Sequence, residues 1–404
     1  MHHTLSFLMF RICCSRLYSR LATPGQRRLT AFCFPGQGTQ TVGMGKDLAD
    51  AHPVARRTFD EVDAALNDKL SHLMFNGPLD KLTLTANAQP AILAHSIALL
   101  RVIEEKTGIL PEQFGCYLGH SLGEYSALVA TQAISLSAAA SIVRLRGEAM
   151  QGAFPGTLRP RMVALLPTTP AALQPILQSV NEQFAASATK GTPTESCDIA
   201  NVNTPKQVWF VLLEAAEAFG FGARVSKIPP ADRFAFFFVL RRCAFVPTHS
   251  QPKQQVVLSG SETAVARVVD AALFSKVARR SVDLNISAPF HSRWMAPAAD
   301  ALRQPLGRIK WRDPMSPVIS NVTAAECTVG EEWVDLLLRQ VTAPVLWSAS
   351  VSRAVNHFKI TNFVELGGGT TLKGLISQID PLAVTKTTAS LEELELLIRD
   401  LNAS

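Results

Sequence analysis

The chain has 404 residues, of which 47% are hydrophobic and 18% are charged, a composition that predicts one large or two moderate folded domains. The net charge of +6 comes entirely from residues 1–46, which contain six basic residues and no acidic one, so residues 47–404 are neutral overall. That neutrality argues against nucleic-acid binding. No apolar run approaches the roughly 18 residues that a membrane-spanning helix needs.

The N-terminal segment, residues 1–29, is rich in Arg, Ser, Leu and Phe and lacks Asp and Glu. This composition is typical of a mitochondrial presequence, so we expect the mature protein in the mitochondrial matrix. A disordered basic tail and a weak secretory signal built on the apolar run 5–10 remain alternatives. The seven cysteines are scattered without metal-type spacing, which favours a reducing compartment and predicts no metal site.

The first predicted elements alternate between strand and helix. A strand over 29–34 runs into the glycine-rich turn 35–38, and helices follow over 54–66 and 89–105. Residues 115–118 then form a short buried strand that enters a helix near Leu122. A strand, a tight turn and a helix in this order can present a reactive side chain at the turn.

The next predicted elements follow a different order. Strands are expected over 161–166, 198–202, 255–259 and 280–286, with helices over 170–183 and 262–276. This is the β-α-β-β-α-β order of a ferredoxin-like subdomain. The chain then returns to strand and helix alternation and ends with a strand over 362–366, a glycine turn and a helix.

The predicted fold class is therefore α/β. Residues 30–158 and 287–396 are expected to form a discontinuous α/β-hydrolase-like core. Residues 159–286 form the inserted ferredoxin-like subdomain, which is interrupted by an atypical insertion at 208–255. That insertion holds 8 of the 21 phenylalanines but has no period of 2 or 3.6 residues.

A GxSxG motif, residues 119–123, lies at the predicted strand-to-helix turn and suggests a nucleophile elbow. The glycines permit a sharp turn that exposes the Ser121 hydroxyl, and the Leu122 N–H at the helix N-terminus points towards the reacting oxygen. The alternative is an ordinary turn with a buried serine.

A serine nucleophile at neutral pH needs a base, normally a histidine. Of the nine histidines, His291 has the most suitable context, because it follows a predicted strand and a rigid proline turn. From the residues alone, a structural histidine remains an equal alternative.

Six ordered motifs resemble the malonyl-CoA:acyl-carrier-protein transacylases of the mitochondrial type. They are FPGQGTQ at 34–40, GHSLGE at 119–124, LRG at 145–147, IANVN at 199–203, SAPFHS at 287–292 and QVTAPVLW at 340–347. The resemblance implies that Ser121 is acylated, that His291 is its base, and that the N–H groups of Gln37 and Leu122 form an oxyanion hole. The chain departs from the family pattern at two places, the Gly-Gly-Gly-Thr turn at residues 367–370 and Trp294.

The resemblance implies three further roles. Arg146 holds the malonyl carboxylate, Phe290 favours malonyl over methylmalonyl groups, and the backbone carbonyl of Gln340 orients the histidine in place of a triad carboxylate. From the residues alone, Arg146 is a solvated helix residue and Phe290 is core packing.

The implied function is transfer of malonyl groups from malonyl-CoA to the phosphopantetheine thiol of acyl carrier protein, for fatty acid synthesis. The substrate is malonyl-CoA, no cofactor is bound permanently, and we expect a monomer. A serine esterase or thioesterase would share the motif and the histidine but leave Arg146 and Gln340 unexplained. An inactive scaffold, made so by the insertion, is the other alternative.

The insertion interrupts a hairpin that is continuous in this family. Joining Gln207 to Val256 restores the hairpin, and removing 48 residues preserves the reading frame. Valine codons begin with GT and a glutamine codon can end with AG, so we interpret the segment as a translated intron. We expect the strands on either side of it to remain paired. The alternative is a genuine insertion that packs as its own element or covers the site as a lid.

Overall fold

The computed structural model describes residues 28–189, 192–204 and 255–403, which form two β-sheets with helices around them. The strands are β1 (Thr30–Phe34), β2 (Cys116–Gly119), β3 (Pro160–Leu166), β4 (Cys197–Val202), β5 (Val256–Ser261), β6 (Arg280–Asp283), β7 (Val318–Ile319), β8 (Glu326–Cys327), β9 (Asn362–Glu365) and β10 (Val384–Thr387).

The helices that precede β4 are α1 (Lys46–Ala51), α2 (Pro53–Leu66), α3 (Leu70–Asn76), α4 (Leu79–Thr83), α5 (Thr85–Thr107), α6 (Gly123–Ala130), α7 (Leu136–Gly152) and α8 (Pro170–Ala186). Those that follow β5 are α9 (Glu262–Phe274), α10 (Ala296–Gly307), α11 (Trp333–Thr342), α12 (Trp347–Asn356), α13 (Thr371–Ile379) and α14 (Leu391–Asn402).

The larger sheet has six strands in the order β10-β9-β1-β2-β7-β8, parallel except for β8. Its strands are apolar on both faces: Phe32 and Phe34 of β1 enter the main hydrophobic cluster, and Ala31 and Cys33 enter a second cluster behind the sheet. A parallel sheet needs such cover on both faces. The carboxyl ends of β1 and β2 therefore meet at one edge, where the GxSxG turn lies.

The smaller sheet has four antiparallel strands in the order β4-β5-β3-β6. Val163 and Leu165 of β3 pack with α8 and α9, whereas Met162 and Ala164 on the other face belong to the main cluster. Strand β4 also reaches the larger unit, since the Val202 N–H donates to the carbonyl of Val345 at 2.9 Å. The smaller sheet is thus anchored beside the segment that follows α11.

The strands and helices predicted from the sequence are present in the same order, with bounds that differ by a few residues. The largest differences in bounds are at α5, which begins four residues earlier than predicted, at α8, which ends three residues later, and at β6, which ends at Asp283 and not at residue 286. The prediction that the chain ends with the helix after the glycine turn is wrong, because β10 and α14 follow that helix, and α14 continues to Asn402, beyond the core boundary expected at residue 396.

Two predictions fall on residues outside the described ranges: most of the presequence, 1–27, and most of the insertion, 208–254. The prediction that the flanking strands pair is confirmed, because β4 and β5 are antiparallel neighbours. The described ends also meet, with the Gln255 N–H donating to Thr204 Oγ1 at 2.7 Å. Across the described ranges, no helix combines the length and the apolar character needed to cross a membrane.

Candidate active site

Ser121 lies in the turn between β2 and α6, with a left-handed backbone (φ 52°). A Cβ on Gly119 would lie 1.9 Å from the backbone carbon of Gly123, and a Cβ on Gly123 would lie 2.0 Å from the Phe34 carbonyl oxygen. Only glycine fits at either position, so the motif spacing is a steric requirement of the turn. The turn leaves the Ser121 side chain partly exposed at the sheet edge.

His291 is placed to act on that hydroxyl, with its Nε2 2.7 Å from Ser121 Oγ. Its Nδ1 lies 2.8 Å from the backbone carbonyl of Gln340. Because a carbonyl can only accept, Nδ1 carries the proton and Nε2 is free to accept one from the serine. This is the orientation that the resemblance implied, with a carbonyl where a triad would have a carboxylate.

The environment of His291 keeps its imidazole neutral. Burial first, and then the positive charge of Arg146, lower its pKa to about 3, while the hydrogen bond with Gln340 acts in the opposite direction. The histidine is therefore in its proton-accepting form throughout the neutral pH range.

Arg146 is 1% exposed and belongs to the same cluster of hydrogen bonds, which corrects the solvated position suggested by the residues alone. Its Nη2 donates to Ser121 Oγ at 3.1 Å and to Gln340 Oε1 at 2.9 Å, and its Nη1 donates to Gln89 Oε1 at 2.8 Å. Its Nε has no hydrogen-bond partner in the described part of the chain. A buried guanidinium beside the hydroxyl can bind an anionic group of a substrate.

The backbone of Ser121 is held from both sides by side chains. Its N–H donates to Asn321 Oδ1 at 2.8 Å, and its carbonyl accepts from Gln340 Nε2 at 2.9 Å. Gln340 therefore contacts Ser121, His291 and Arg146 at once. Left-handed backbone of this kind persists only where surrounding contacts enforce it.

The two proposed oxyanion-hole residues lie in the turns that follow β1 and β2, and these turns approach each other at Gly36 and His120. Leu122 is the N-cap of α6, and Gln37 lies in the glycine-rich turn after β1, where its side chain donates to Thr85 Oγ1 at 3.2 Å. Among the described residues, neither backbone N–H has a hydrogen-bond partner, so both can donate to a bound oxygen. Phe290, next to the histidine, is buried in the main hydrophobic cluster.

Sequence reasoning missed three polar residues of this site: Gln89, Asn321 and Glu124. All three are buried within apolar surroundings. Gln89 interrupts an apolar stretch of α5, and Glu124 lies within the GHSLGE motif, so a buried polar side chain in an apolar segment was the available signal. The side chain of Gln340, which binds Arg146 and Ser121, was also not anticipated.

Comparisons with known proteins agree with this geometry. Residues 31–172 match the acyl transferase domain family. The chain is 34% identical over 371 residues to the malonyl CoA-acyl carrier protein transacylase of Bacillus subtilis, covering 92% of this chain and 96% of the relative.

Solved structures show the same similarity. The acyl-carrier-protein S-malonyltransferase of Bartonella henselae matches with a TM-score of 0.73 and 35% identity, over 92% of this chain and 99% of that one. A malonyl-transacylase in complex with its type II PKS acyl-carrier protein matches with a TM-score of 0.73 and 29% identity, over 92% and 99%. The family resemblance is confirmed, whereas its mitochondrial type stays a prediction: the chain belongs to the malonyl-CoA:acyl-carrier-protein transacylase family.

Proposed function

We propose that this enzyme transfers the malonyl group of malonyl-CoA to the phosphopantetheine thiol of acyl carrier protein, through a malonyl ester on Ser121. The product supplies fatty acid synthesis. The observation that carries the proposal is the position of Arg146, whose buried guanidinium donates to the nucleophilic oxygen itself at 3.1 Å. An acyl group with a terminal carboxylate can bind that cation while its thioester carbon lies at the serine.

In the first half-reaction, Ser121 Oγ attacks the thioester carbonyl carbon as His291 Nε2 takes the hydroxyl proton. The N–H groups of Gln37 and Leu122 donate to the negative oxygen of the tetrahedral intermediate. Collapse of the intermediate breaks the C–S bond, and His291 returns its proton to the CoA thiolate. The malonyl ester and free CoA result.

In the second half-reaction, His291 accepts the proton of the phosphopantetheine thiol, whose sulfur attacks the ester carbonyl. Collapse of the second intermediate breaks the C–O bond, and the proton returns to Ser121 Oγ. The acyl group thus passes from a thioester to an ester and back to a thioester, and no permanently bound cofactor takes part. The remaining requirement is to exclude water from the ester while the enzyme waits for its carrier protein.

Arg146 and Phe290 are proposed to select the acyl group. The guanidinium has an Nε–H without a partner among the described residues, and its planar donors suit a carboxylate better than an ammonium would. Phe290 directly precedes His291 in the chain, and its ring would crowd a branched α-carbon.

Isotope-labelled malonyl-CoA tests the proposal. Wild-type protein should form a stable labelled ester on Ser121, and holo acyl carrier protein should then discharge it. The variant Ser121→Ala should carry no label, whereas Ser126→Ala, which replaces a buried serine on α6, should label normally. Release of free malonate would indicate a hydrolase, and the absence of both label and malonate would indicate a scaffold.

We also propose that the enzyme acts as a monomer in the mitochondrial matrix. The residues proposed for the reaction form a connected set of hydrogen bonds within a single chain, which supports action as a monomer, and the basic, acid-free composition of residues 1–29 supports mitochondrial import. A fluorescent reporter fused to residues 1–30 should enter mitochondria, and a cytosolic reporter would refute the localisation.

The finer fold assignment is likewise a proposal. We assign residues 30–158 and 287–396 to an α/β-hydrolase-like core and residues 159–286 to a ferredoxin-like insertion. The strand order β4-β5-β3-β6 and the β-α-β-β-α-β element order support the second part of this assignment. Limited proteolysis that released residues 159–286 as a folded fragment would support the boundaries.

A further inference from the structure

Glu124 is a buried carboxylate three residues after the nucleophile, with no part in the chemistry proposed above. Its Oε1 accepts from the backbone N–H of Asn321 and its Oε2 accepts from Gln340 Nε2, both at 2.6 Å. We propose that Glu124 is the positioning residue of the site, which aligns Ser121 and Arg146 by orienting Asn321 and Gln340. This inference rests on the proposed function of Ser121 as the nucleophile.

The two partners of Glu124 are the two residues that hold the serine backbone. Asn321 accepts from the Ser121 N–H at 2.8 Å and donates to the Gly119 carbonyl at 2.6 Å. Gln340 donates to the Ser121 carbonyl at 2.9 Å. One carboxylate therefore connects the contacts on both peptide groups of Ser121, whose left-handed backbone is unfavourable for an L-residue.

Glu124 also determines which way the Gln340 amide points. Because the Nε2 group donates to the carboxylate, the amide oxygen faces Arg146 and accepts from its Nη2. The reverse orientation would place an NH₂ group against the guanidinium, donor against donor. The carboxylate thus fixes Arg146 through the Gln340 amide, without touching it.

The chemistry of the contacts requires an acceptor on both oxygens of residue 124. Both partners are N–H groups, and each lies close to one oxygen, so an ionised carboxylate satisfies the two together. Burial raises the pKa of Glu124 to about 8, against the opposing effect of the two donors and the Arg146 charge, so the carboxylate is fully ionised only above that pH. An amide of the same shape would place its NH₂ group against one of the donors.

The substitution Glu124→Gln tests this role, with Glu365→Gln as the matched control. Glu365, at the end of β9, is equally buried and also accepts from two N–H groups, those of Leu372 and Lys373 at 3.0 and 2.9 Å. It has no hydrogen bond to the Ser121 cluster among the described residues. Both substitutions replace a carboxyl oxygen with an NH₂ group at a buried site that receives two N–H donors, so the matched difference is the position.

The rate constant for modification of Ser121 is measured with saturating malonyl-CoA and, separately, with a fluorophosphonate. Each rate constant is divided by the fraction of protein that is folded. Glu124→Gln should slow both reactions by about 100-fold, the loss expected for a misaligned reacting group. The malonyl-CoA KM should change less than the rate constant, and Glu365→Gln should remain within about threefold of wild type. Rates within threefold for Glu124→Gln, or equal losses in both variants, would overturn the proposal.

A double-mutant cycle with Gln340→Met asks whether the carboxylate acts through the amide. In the Gln340→Met background, Glu124→Gln should cost clearly less than it does in the wild-type background, because only the contact with the Asn321 N–H remains to be lost. Losses that multiply would overturn the proposal. If Glu124→Gln does not fold, Gln340→Met is measured alone. A fall of about 100-fold in the rate constant for modification of Ser121 supports positioning through the Gln340 amide, and a rate constant within threefold of wild type refutes it.

The two reagents separate this inference from the proposed function. Wild-type protein that reacts with the fluorophosphonate but not with malonyl-CoA would refute malonyl transfer, while the effect of Glu124→Gln on the first reaction would still decide the positioning role. Wild-type protein that reacts with neither reagent would overturn both.

Discussion

Replacing Arg146 with lysine retains the positive charge but changes its geometry. In the structure the guanidinium donates to Gln89, Gln340 and Ser121 from its two terminal nitrogens. A lysine ammonium has three donors at a single point and cannot make these contacts while also gripping both oxygens of a carboxylate. We therefore expect malonyl transfer to suffer more than acetyl transfer, since the acetyl group has no carboxylate.

The size of the effect follows from the burial of Arg146. At 1% exposure the guanidinium is shielded from solvent, so a bound carboxylate is not screened. Each charge-assisted hydrogen bond contributes about 1.5–3 kcal/mol. Loss of one of the two hydrogen bonds between residue 146 and the bound carboxylate therefore costs about 2 kcal/mol. That corresponds to a fall of ~30-fold in the ratio of kcat/KM for malonyl-CoA to kcat/KM for acetyl-CoA.

The assay compares both acyl-CoA substrates with holo acyl carrier protein as the acceptor. The control is Arg144→Lys, the same substitution two residues earlier on α7, where the side chain binds Asn87 and Asp68 away from the serine. The control should leave the malonyl to acetyl ratio unchanged. Equal losses on both substrates in Arg146→Lys would refute the carboxylate-binding role.

Three further predictions follow from the site and the hairpin. Replacing His291 with alanine leaves an unactivated hydroxyl and should slow acylation by at least ~100-fold, and near wild-type acylation would exclude it as the base. Because the pKa of His291 is lowered to about 3, the unfolded chain binds a proton between pH 3 and 6.5 that the folded chain does not, so stability should rise with pH across that interval and level off above it. Thermal unfolding of His291→Gln should show a shallower rise than wild type, and identical curves would contradict the shift. If residues 208–255 are a translated intron, mass spectrometry of the native protein should find Gln207 followed directly by Val256, whereas abundant peptides from within the segment would show that it is retained.

The main elements were predictable from the sequence because their patterns are local. The β2-turn-α6 unit follows from a short apolar strand, two glycines and a helix, and the structure shows that both glycines are sterically required. The strands β7 and β8 were not predicted, since two-residue strands have no period of their own and form only where a neighbouring strand supplies the pairing.

Arg146 shows why burial could not be derived from local pattern. It lies on α7 near Gly147, where an added Cβ would come within 2.6 Å of the Ala86 backbone on α5. This close approach of two helices brings the arginine to the serine. The approach depends on helices far apart in sequence, so only family resemblance could indicate the role.

The hydrogen bonds of the site pose the same difficulty at longer range. Asn321 and Gln340 lie 200 and 219 residues from Ser121 along the chain, yet both bind its backbone. Their positions depend on the pairing of β2 with β7 and on the placement of α11 against that edge. The parallel pairing of β2 with β7 requires a long crossover connection, so no spacing rule in the sequence predicts these contacts.

The electrostatic interaction between Arg146 and His291 connects the choice of acyl group with the basicity of the His291 imidazole. The guanidinium charge is the second cause, after burial, of the low pKa of His291. A malonyl carboxylate bound to Arg146 offsets that charge and so raises the pKa, which makes the histidine a stronger base when the correct acyl group is present. An acetyl group binds without this compensation. If Arg146 binds the malonyl carboxylate as proposed, the preference for malonyl groups should therefore appear in kcat as well as in KM, since the same guanidinium also lowers the pKa of the proposed base.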